Sequence, residues 1–314
     1  MMGVEVKERL RSLDVNRLIT VVIPTLNEEE GIAKVIEELH SLGITNILVV
    51  DGYSRDRTVE VARGLGARVI YQHGKGKTGA LKTAFENVDT PYMLVMDGDY
   101  TYDASSIERF IQHMGSYDEI IGARVPVEEE SMSGLHKLGN AIITKVFNLL
   151  MNTNLSDVCS GMYMLKTETM REIDLSTSGF DVEAEIAAQI ASIGNITEVP
   201  INYRSRIGKR KLSTWKHGFR IMSSIFNLAK VHNPGAFYSL MVSMLLIPAS
   251  IILFSSFMEM VYTGRFSSNW FLVGIALLLV AIQGMSIGVL SLVVKRSQMR
   301  LIRMMRKQIG KVYA

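Results

Sequence analysis

A buried strand that ends in two aspartates is the feature of this sequence that most constrains its fold. The run from Tyr92 to Met96 is apolar, and Asp97-Gly98-Asp99 follows it directly. A strand without polar alternation is typical of the centre of a parallel sheet, which is covered on both faces. Alternate residues of an extended chain point the same way, so both carboxylates can face one hard cation. A solvated Asp-Gly-Asp turn is the alternative interpretation of this motif alone.

Strand and helix patterns alternate between residues 19 and 125. This alternation predicts an α/β fold with a mainly parallel, doubly wound sheet. The predicted strands are 19–23, 46–50, 68–71, 92–96 and 119–121, and the predicted helices are 31–42, 56–64, 78–87 and 105–114. From residue 126 the alternation breaks, and we expect this half to cover one end of the sheet and to supply an acceptor site. Its predicted elements are helices 133–150 and 182–192 and strands 162–165 and 195–204.

Three of the predicted strands run into acidic residues. Glu28 follows the first strand, Asp51 the second, and Asp97 with Asp99 the fourth. The carboxyl ends of parallel strands meet at one edge of a sheet, where open α/β folds bind ligands. Carboxylates there can accept hydrogen bonds from a base or ribose and hold a divalent cation, which suits a nucleotide diphosphate bound with a metal. For Asp51, a simple Asx turn before Gly52 is the alternative.

A glycine- and lysine-rich loop, Gly74-Lys75-Gly76-Lys77-Thr78-Gly79, follows the third predicted strand. It matches the G-x-G-x-x-G pattern of dinucleotide-binding folds, but that pattern belongs after a first strand. A dinucleotide oxidoreductase is therefore a distant alternative. We expect the loop to lie on the phosphate or sugar side of a ligand, with Lys75 or Lys77 facing anions. A solvated basic turn is the other interpretation.

Two long apolar segments, 236–262 and 270–294, predict a transmembrane hairpin. Each exceeds the roughly 20 residues that cross a hydrocarbon core. Arg265 lies between them, whereas many more basic residues precede the first segment and follow the second. The positive-inside rule then places the N-terminal region and the C-terminal tail in the cytoplasm. An integral membrane protein is predicted, of the plasma membrane if the chain is prokaryotic; two buried helices of a soluble core are the alternative.

The predicted organisation has four parts. They are a cytoplasmic catalytic domain (1–212), a juxtamembrane amphipathic helix (213–235), the transmembrane hairpin (236–294) and a basic cytoplasmic tail (295–314). The tail predicts contact with anionic lipid headgroups, and the slightly acidic N-terminal part disfavours nucleic acid as a partner. The one cysteine, Cys159, permits no intramolecular disulfide and is interpreted as a packing residue.

In their order along the chain, these motifs resemble the family-2 glycosyltransferases with a GT-A fold, specifically the dolichyl- or polyprenyl-phosphate sugar synthases. The segment 227–234 is most similar to archaeal members that start N-glycan assembly on dolichyl phosphate. The ordered set comprises Pro24-Thr25-Leu26-Asn27-Glu28, Asp51, Asp97-Gly98-Asp99, Gly122-Ala123-Arg124, Ser160-Gly161 and the stretch from Arg206 to Lys211-Leu212.

The resemblance implies a metal-dependent, inverting transfer of a sugar from a nucleotide diphosphate sugar to dolichyl or polyprenyl phosphate. It assigns the metal, Mg²⁺ or Mn²⁺, to Asp99 and Asp97. It assigns the lipid phosphate or the departing diphosphate to Arg124, Arg206 and Lys211, and acceptor positioning to Asp157 or Glu183. The nucleotide sugar would be bound by Pro24, Leu26, Glu28, Asp51, Lys77 and Asp97. Two of these assignments have plainer alternatives: Glu183 as a helix-dipole partner, and the cations of 204–211 as a topogenic cluster.

UDP-glucose or UDP-N-acetylglucosamine is the donor that we expect. Thr101 stands where mannose-transferring relatives often have Gln. The alternatives are a dolichyl-phosphate mannose synthase that uses GDP-mannose, a polysaccharide-making family-2 transferase and a non-catalytic membrane scaffold. The sequence leaves the oligomeric state open, a homo-oligomer included.

Overall fold

The computed structural model describes residues 14–126, 134–175, 182–207 and 214–312. The chain divides into two compact units, Met1–Leu228 and Ala229–Ala314. The first unit contains a mixed α/β domain, and the second contains two long apolar helices. The two units are described in turn.

The first unit is built on a seven-stranded sheet in the order β3-β2-β1-β4-β6-β5-β7. Every neighbouring pair is parallel except those of β6, which runs antiparallel to both β4 and β5. The α/β class and the mainly parallel sheet predicted from the sequence are therefore confirmed. The strands are β1 (Ile19–Thr25), β2 (Ile47–Asp51), β3 (Arg68–Tyr71), β4 (Tyr92–Val95), β5 (Glu119–Pro126), β6 (Tyr163–Lys166) and β7 (Ile196–Tyr203).

The central strands are buried because helices cover both faces of the sheet. All residues of β2 and β4 are buried, and so are six of the seven residues of β1. This is the pattern that an uninterrupted apolar run predicts. The helices of the unit are α1 (Val15–Leu18), α2 (Glu29–Ser41), α3 (Thr58–Gly64), α4 (Gly76–Asn87), α5 (Ile107–Ile111), α6 (Gly134–Met151), α7 (Thr167–Met170) and α8 (Val182–Ile193), with α9 (Thr214–His232) crossing into the second unit.

Two predicted elements between residues 19 and 204 differ in length from those observed by more than two residues. The helix predicted for 105–114 is a 3₁₀ turn, Ala104–Ser106, followed by the five residues of α5. Residues 113 and 114 continue with hydrogen bonds to carbonyls three residues back, a tighter geometry than the α-helix. Strand β5 reaches Pro126 rather than residue 121 because β7 pairs with it along its whole length.

The second unit contains α10 (Pro234–Thr263) and α11 (Ser268–Val312). Helix α10 begins at an Asn-Pro pair, in which the Asn233 side chain accepts a hydrogen bond from the backbone N–H of Ala236 and Pro234 occupies the first turn. Both helices are long and apolar enough to cross a membrane, over 234–263 and 268–297. Helix α11 continues without a break from its apolar part to Val312.

Helix α2 packs its first turn tightly against the Asp97-Gly98-Asp99 loop. A Cβ added at Gly31 would lie 2.5 Å from the Gly98 carbonyl oxygen and 2.9 Å from Asp99 Cα. Both contacts are with backbone, which cannot move aside as a flexible side chain can. Glycine at position 31 therefore sets the distance between α2 and this loop.

We expect Gly31→Ala to lower the free energy of unfolding by about 1–3 kcal/mol, because the methyl group overpacks a rigid contact. Urea unfolding of the full chain in detergent, followed by circular dichroism, measures the change. Gly64→Ala is the matched control, since Gly64 ends α3 with open space around it. Equal stabilities of the two variants would contradict this account of the packing.

Candidate active site

The carboxyl edge of the sheet brings together the acidic residues that the sequence predicted there. Strand β1 lies between β2 and β4, and Thr25 pairs in register with Asp51. Asp97 follows β4 two residues after its last residue. Glu28, which immediately precedes α2, begins the turn that leads away from β1. The edge therefore carries acids from three neighbouring strands.

Lys77 is a largely buried cation at this edge, with its side chain 12% exposed. Its Nζ lies 2.6 Å from Asp97 Oδ1 and 2.7 Å from Glu183 Oε1, and both of its partners come from other parts of the chain. Lys77 lies in the first turn of α4 and Glu183 in the first turn of α8. Burial disfavours the charged ammonium, but the two carboxylates outweigh burial and raise the pKa of Lys77 well above its ordinary value. The lysine is charged at every physiological pH.

Gly161 allows the backbone to lie close to the paired Asp97 and Lys77 side chains. A Cβ at position 161 would collide with Asp97 Oδ2 and would lie 3.1 Å from Lys77 Nζ. The Gly161 backbone N–H donates a 2.7 Å hydrogen bond to the Tyr102 hydroxyl. The Ser160-Gly161 motif of the sequence is thus explained by the close approach of backbone to the Asp97 carboxylate.

Asp99 lies between a threonine and an arginine. The backbone N–H and the hydroxyl of Thr101 donate to Asp99 Oδ1 at 3.2 and 2.6 Å. Arg206 Nη1 lies 3.4 Å from Asp99 Oδ2, while Nη2 of the same guanidinium is paired with Glu28. Burial, and then the negative charge of Asp97, raise the pKa of Asp99 despite the bonds from Thr101 and Arg206. Arg206 therefore bridges the acid after β1 and the second acid after β4.

Arg124 and Asp157 form a second, separate ion pair. Arg124 Nε and Nη2 donate to the two carboxylate oxygens of Asp157 at 2.6 and 2.8 Å, a bidentate geometry. Asn140 donates to Asp157 Oδ1 at 3.0 Å, and the guanidinium also faces the Tyr203 ring at 5.5 Å. Burial opposes ionisation of Asp157, but Arg124 outweighs it and lowers the pKa of the carboxyl. Asp157 is a carboxylate fixed by a cation rather than a base free to take a proton.

The charges and donor atoms at this edge fit a divalent cation. Four carboxylates, Glu28, Asp97, Asp99 and Glu183, face the two cations Lys77 and Arg206. The carboxylates outnumber the cations, and the buried Asp51 adds a further acid at the same edge, so the edge has an excess of acidic side chains. Carboxylate oxygens are the ligands that Mg²⁺ and Mn²⁺ prefer. Within the described ranges, no group of three or more His, Cys, Asp and Glu residues has metal-binding geometry. Asp97 and Asp99 could supply two of the oxygen ligands of such an ion.

Sequence comparisons connect this site to a known family. The family model described as glycosyl transferase family 2 matches residues 20–174. Glycosyltransferase AglJ of Haloferax volcanii is 34% identical over 222 residues, which span 69% of this chain and 73% of AglJ. The dolichyl-phosphate hexose transferase of the same organism is 34% identical over 211 residues, 66% of this chain and 92% of the relative. The chain belongs to glycosyl transferase family 2. The predicted resemblance to the archaeal transferases of this type is confirmed.

A solved structure with the same fold supports the assignment. Glucosyl-3-phosphoglycerate synthase from Mycobacterium tuberculosis, in complex with Mn²⁺, UDP and phosphoglyceric acid, superimposes with a TM-score of 0.57. The two chains are 18% identical, and the match covers 71% of this chain and 82% of the synthase. At that identity the likeness concerns the fold, and it confirms the predicted GT-A architecture of this glycosyltransferase.

At the end of β2, Asp51 is buried and already hydrogen-bonded. The Ser54 backbone N–H donates to Asp51 Oδ2 at 2.8 Å, the Ser54 hydroxyl donates to Oδ1, and the Thr25 hydroxyl lies 3.4 Å from Oδ1. The local turn that the sequence left open as an alternative is therefore present. Pro24 is half-buried on β1, and Leu26 is exposed just beyond it. Lys75 of the glycine-rich loop is exposed, in contrast to Lys77.

Sequence reasoning missed an ion-pair cluster behind the site. Arg204 forms a bidentate pair with Glu38, at 2.9 Å for both bonds, and lies 3.1 Å from Asp103. Its guanidinium also stacks over the Tyr100 ring at 4.7 Å. Glu38 and Arg204 are 166 residues apart, and a pairing over that distance leaves no local pattern in a single sequence.

Two further predictions have different outcomes. Cys159 is partly buried, and burial raises the pKa of its thiol to about 12, which agrees with a packing residue rather than a reactive one. Lys211, predicted to serve a phosphate, lies outside the described residues.

We expect Lys77→Met to destabilise the transferase by about 1–3 kcal/mol, because it removes the cation that the buried Glu183 shares with the partly exposed Asp97. Lys75→Met is the matched control, since it removes an exposed lysine two residues earlier in the same loop. Urea unfolding of both variants in detergent gives the free energies. A Lys77→Met protein as stable as its control would refute the role of Lys77 in holding the acid cluster together.

Proposed function

We propose that this transferase moves a sugar from a nucleotide diphosphate sugar to the phosphate of dolichyl phosphate or another polyprenyl phosphate. The observation that carries the proposal is the acidic sheet edge, where Asp97 and Asp99 lie beside Lys77 and Arg206. The relative named dolichyl-phosphate hexose transferase supports a lipid-linked acceptor. Two helices apolar enough to cross a membrane suit such a substrate. The lipid-phosphate-linked sugar would then serve protein glycosylation.

Asp97 and Asp99 would hold the divalent cation. A bound Mg²⁺ or Mn²⁺ would stabilise the charge that develops on the departing nucleoside diphosphate. Structures of the Mycobacterium tuberculosis synthase contain UDP with Mn²⁺ or with Mg²⁺, which makes both ions the first to assay. Thr101 and Arg206 would orient Asp99, and Lys77 would orient Asp97, so that both carboxylates present an oxygen to the same point.

The nucleoside would lie along the ends of β1 and β2, beside Pro24, Leu26 and Glu28. Asp51 would support this surface by fixing the loop that follows it, since its own carboxylate is hydrogen-bonded to Ser54. We favour UDP-glucose or UDP-N-acetylglucosamine as the donor, because the solved structures of the Mycobacterium tuberculosis synthase, which has this fold, hold UDP.

The chemistry asks little of a general base. The acceptor is a phosphate monoester whose second pKa is about 6, so its oxygen is already anionic near neutral pH. That oxygen forms a bond to the anomeric carbon while the bond from the same carbon to the diphosphate oxygen breaks, and the electron pair leaves with the diphosphate. One in-line displacement inverts the anomeric centre. An α-linked donor therefore gives a β-linked lipid phosphate sugar.

The remaining polar side chains would handle phosphate. Two guanidinium nitrogens of Arg124 are paired with Asp157, so the third, Nη1, would be the one that reaches a phosphate oxygen. Asp157 would position Arg124 rather than accept a proton, because its pKa is lowered. Glu183, paired with Lys77, would act by position in the same way. Arg206 and Lys211 would serve the departing diphosphate.

The test of the proposal is transfer by the purified chain in detergent, with dolichyl phosphate, Mg²⁺ or Mn²⁺, and a panel of UDP and GDP sugars. Mass spectrometry of the lipid identifies the product. We expect a metal-dependent hexosyl- or N-acetylhexosaminyl-phosphodolichol. Absence of every lipid product together with absence of nucleotide binding would overturn the proposal in favour of a non-catalytic role.

In the same assay, we expect Asp99→Asn to lower the rate at least about a hundredfold, as the loss of one group that stabilises transition-state charge does. Asp89→Asn, at an exposed position before β4, is the control that changes the same side chain outside the site. Asp99→Asn turnover with an unchanged metal dependence would contradict the assignment of Asp99 to the metal.

We also propose an orientation in the membrane. The catalytic unit and the basic end of α11 would lie on the cytoplasmic side, in accordance with the positive-inside rule. In whole cells, an impermeant maleimide should label Ser268→Cys, at the start of α11, and should label Ser297→Cys only after permeabilisation. The native Cys159 gives little background because the pKa of its thiol is about 12. The reverse labelling pattern would invert the topology.

A further inference from the structure

Two tyrosines form a stacked pair beside the nucleoside end of the site. The rings of Tyr53 and Tyr71 are nearly parallel, with centroids 5.3 Å apart and an angle of 16° between their planes. Both side chains are open to solvent: Tyr53 is 63% exposed and Tyr71 is 44% exposed. The two rings therefore form one continuous aromatic surface that faces solvent.

The position of the pair links it to the donor. Tyr71 is the last residue of β3 and pairs in register with Asp51, the last residue of β2. Tyr53 follows Asp51 by two residues in the turn that leaves the same sheet edge. The Asp51 carboxylate is itself buried and hydrogen-bonded to Ser54. The exposed rings of Tyr53 and Tyr71 therefore lie close in the sheet to Asp51, whose own carboxylate is occupied.

The backbone of Tyr53 is a second, independent observation. Its φ is +66°, in the left-handed region that residues with a Cβ adopt rarely and glycine adopts readily. The neighbouring residues hold this conformation, because Ser54 is bonded to Asp51 and the Arg55 backbone N–H donates to Asn27 Oδ1 at 2.7 Å. Neither the turn nor the core requires a tyrosine there. A strained position that carries an exposed aromatic ring indicates a ring selected for contact with something outside the chain.

We propose that Tyr53, supported by Tyr71, is the stacking surface for the nucleobase of the donor. This inference rests on the proposed function, since it presupposes a nucleotide sugar at this edge. Every nucleobase has a π-face, so the pair supplies affinity for the nucleoside without selecting one base. Tyr71 holds the Tyr53 ring in orientation by stacking on it, which reduces the ordering that base binding has to impose.

The experiment compares nucleotide binding by three full-length proteins in detergent: wild type, Tyr53→Gly and Tyr53→Phe. Glycine removes the ring and suits the positive φ, so the turn is retained and thermal stability is expected to be unchanged or higher. Phenylalanine keeps the ring. Calorimetric titrations use UDP and GDP with Mn²⁺, and pyrophosphate with Mn²⁺ as the ligand that lacks a base. We expect Tyr53→Gly to weaken UDP and GDP binding on the order of tenfold. Pyrophosphate binding should be unchanged, and Tyr53→Phe should bind as the wild type does.

Each other outcome has a distinct meaning. Equal nucleotide affinity in the wild type and Tyr53→Gly would overturn the stacking role while leaving the proposed function intact. Loss of pyrophosphate binding to the same extent as nucleotide binding would also overturn it, because the effect would then come from the loop rather than from a base. Failure of the wild type to bind any nucleoside diphosphate would refute the proposed function itself, and the stacking role with it.

Discussion

Carboxylates gathered at one sheet edge repel one another, and the catalytic unit depends on balancing that repulsion. Lys77 joins Asp97 to Glu183, and Arg206 joins Glu28 to Asp99. Each cation thus connects two acids that come from different parts of the chain. Because buried charges are tolerated only when they are paired, the same contacts that hold the acids also fix the packing of α4, α8 and the segment after β7 against the sheet.

The two cations do not neutralise all the carboxylates at this edge. Two positive side chains cannot neutralise four carboxylates, so the edge retains a negative charge that a divalent cation can satisfy. The Arg124–Asp157 pair does not change this net charge, because it contains one cation and one carboxylate. The structure therefore has one region with an excess of carboxylates and another in which a guanidinium is held by a carboxylate.

The sequence predicted those parts of the fold and site that depend on neighbours along the chain. The apolar run before Asp97 identified a central strand, and strands ending in Asp51 and Glu28 identified the ligand-binding edge, because parallel strands align their carboxyl ends. It did not predict the partners of Lys77 or Arg124. Those pairs depend on how α8 and β5 are placed in space, and a glycine-rich loop with two lysines looks the same whether its cation faces a phosphate or a carboxylate.

The predicted lengths of β5 and of the helix after Asp103 were wrong. For β5 the cause is again a contact between distant parts of the chain. Strand β5 extends because β7, more than 70 residues later, pairs with it to its end. The pairing of Arg204 with Glu38 likewise arises from tertiary contact. The Tyr53–Tyr71 stack was also missed, although one local signal was available: a tyrosine in a tight turn after a strand, where a glycine would be the unstrained choice.

Helix α2 connects two segments that are far apart along the chain. At its first turn, Gly31 lies against the backbone of the loop that carries Asp99. Near its last turn, Glu38 accepts hydrogen bonds from Arg204. Arg204 in turn donates its backbone N–H to the Thr101 carbonyl, which closes a ring of contacts. The 13 residues of α2 thus connect the Asp97-Gly98-Asp99 loop with the chain that leaves β7. Because one helix contacts both segments, we expect a shift of the Asp99 loop to be accompanied by a shift of the chain that leaves β7.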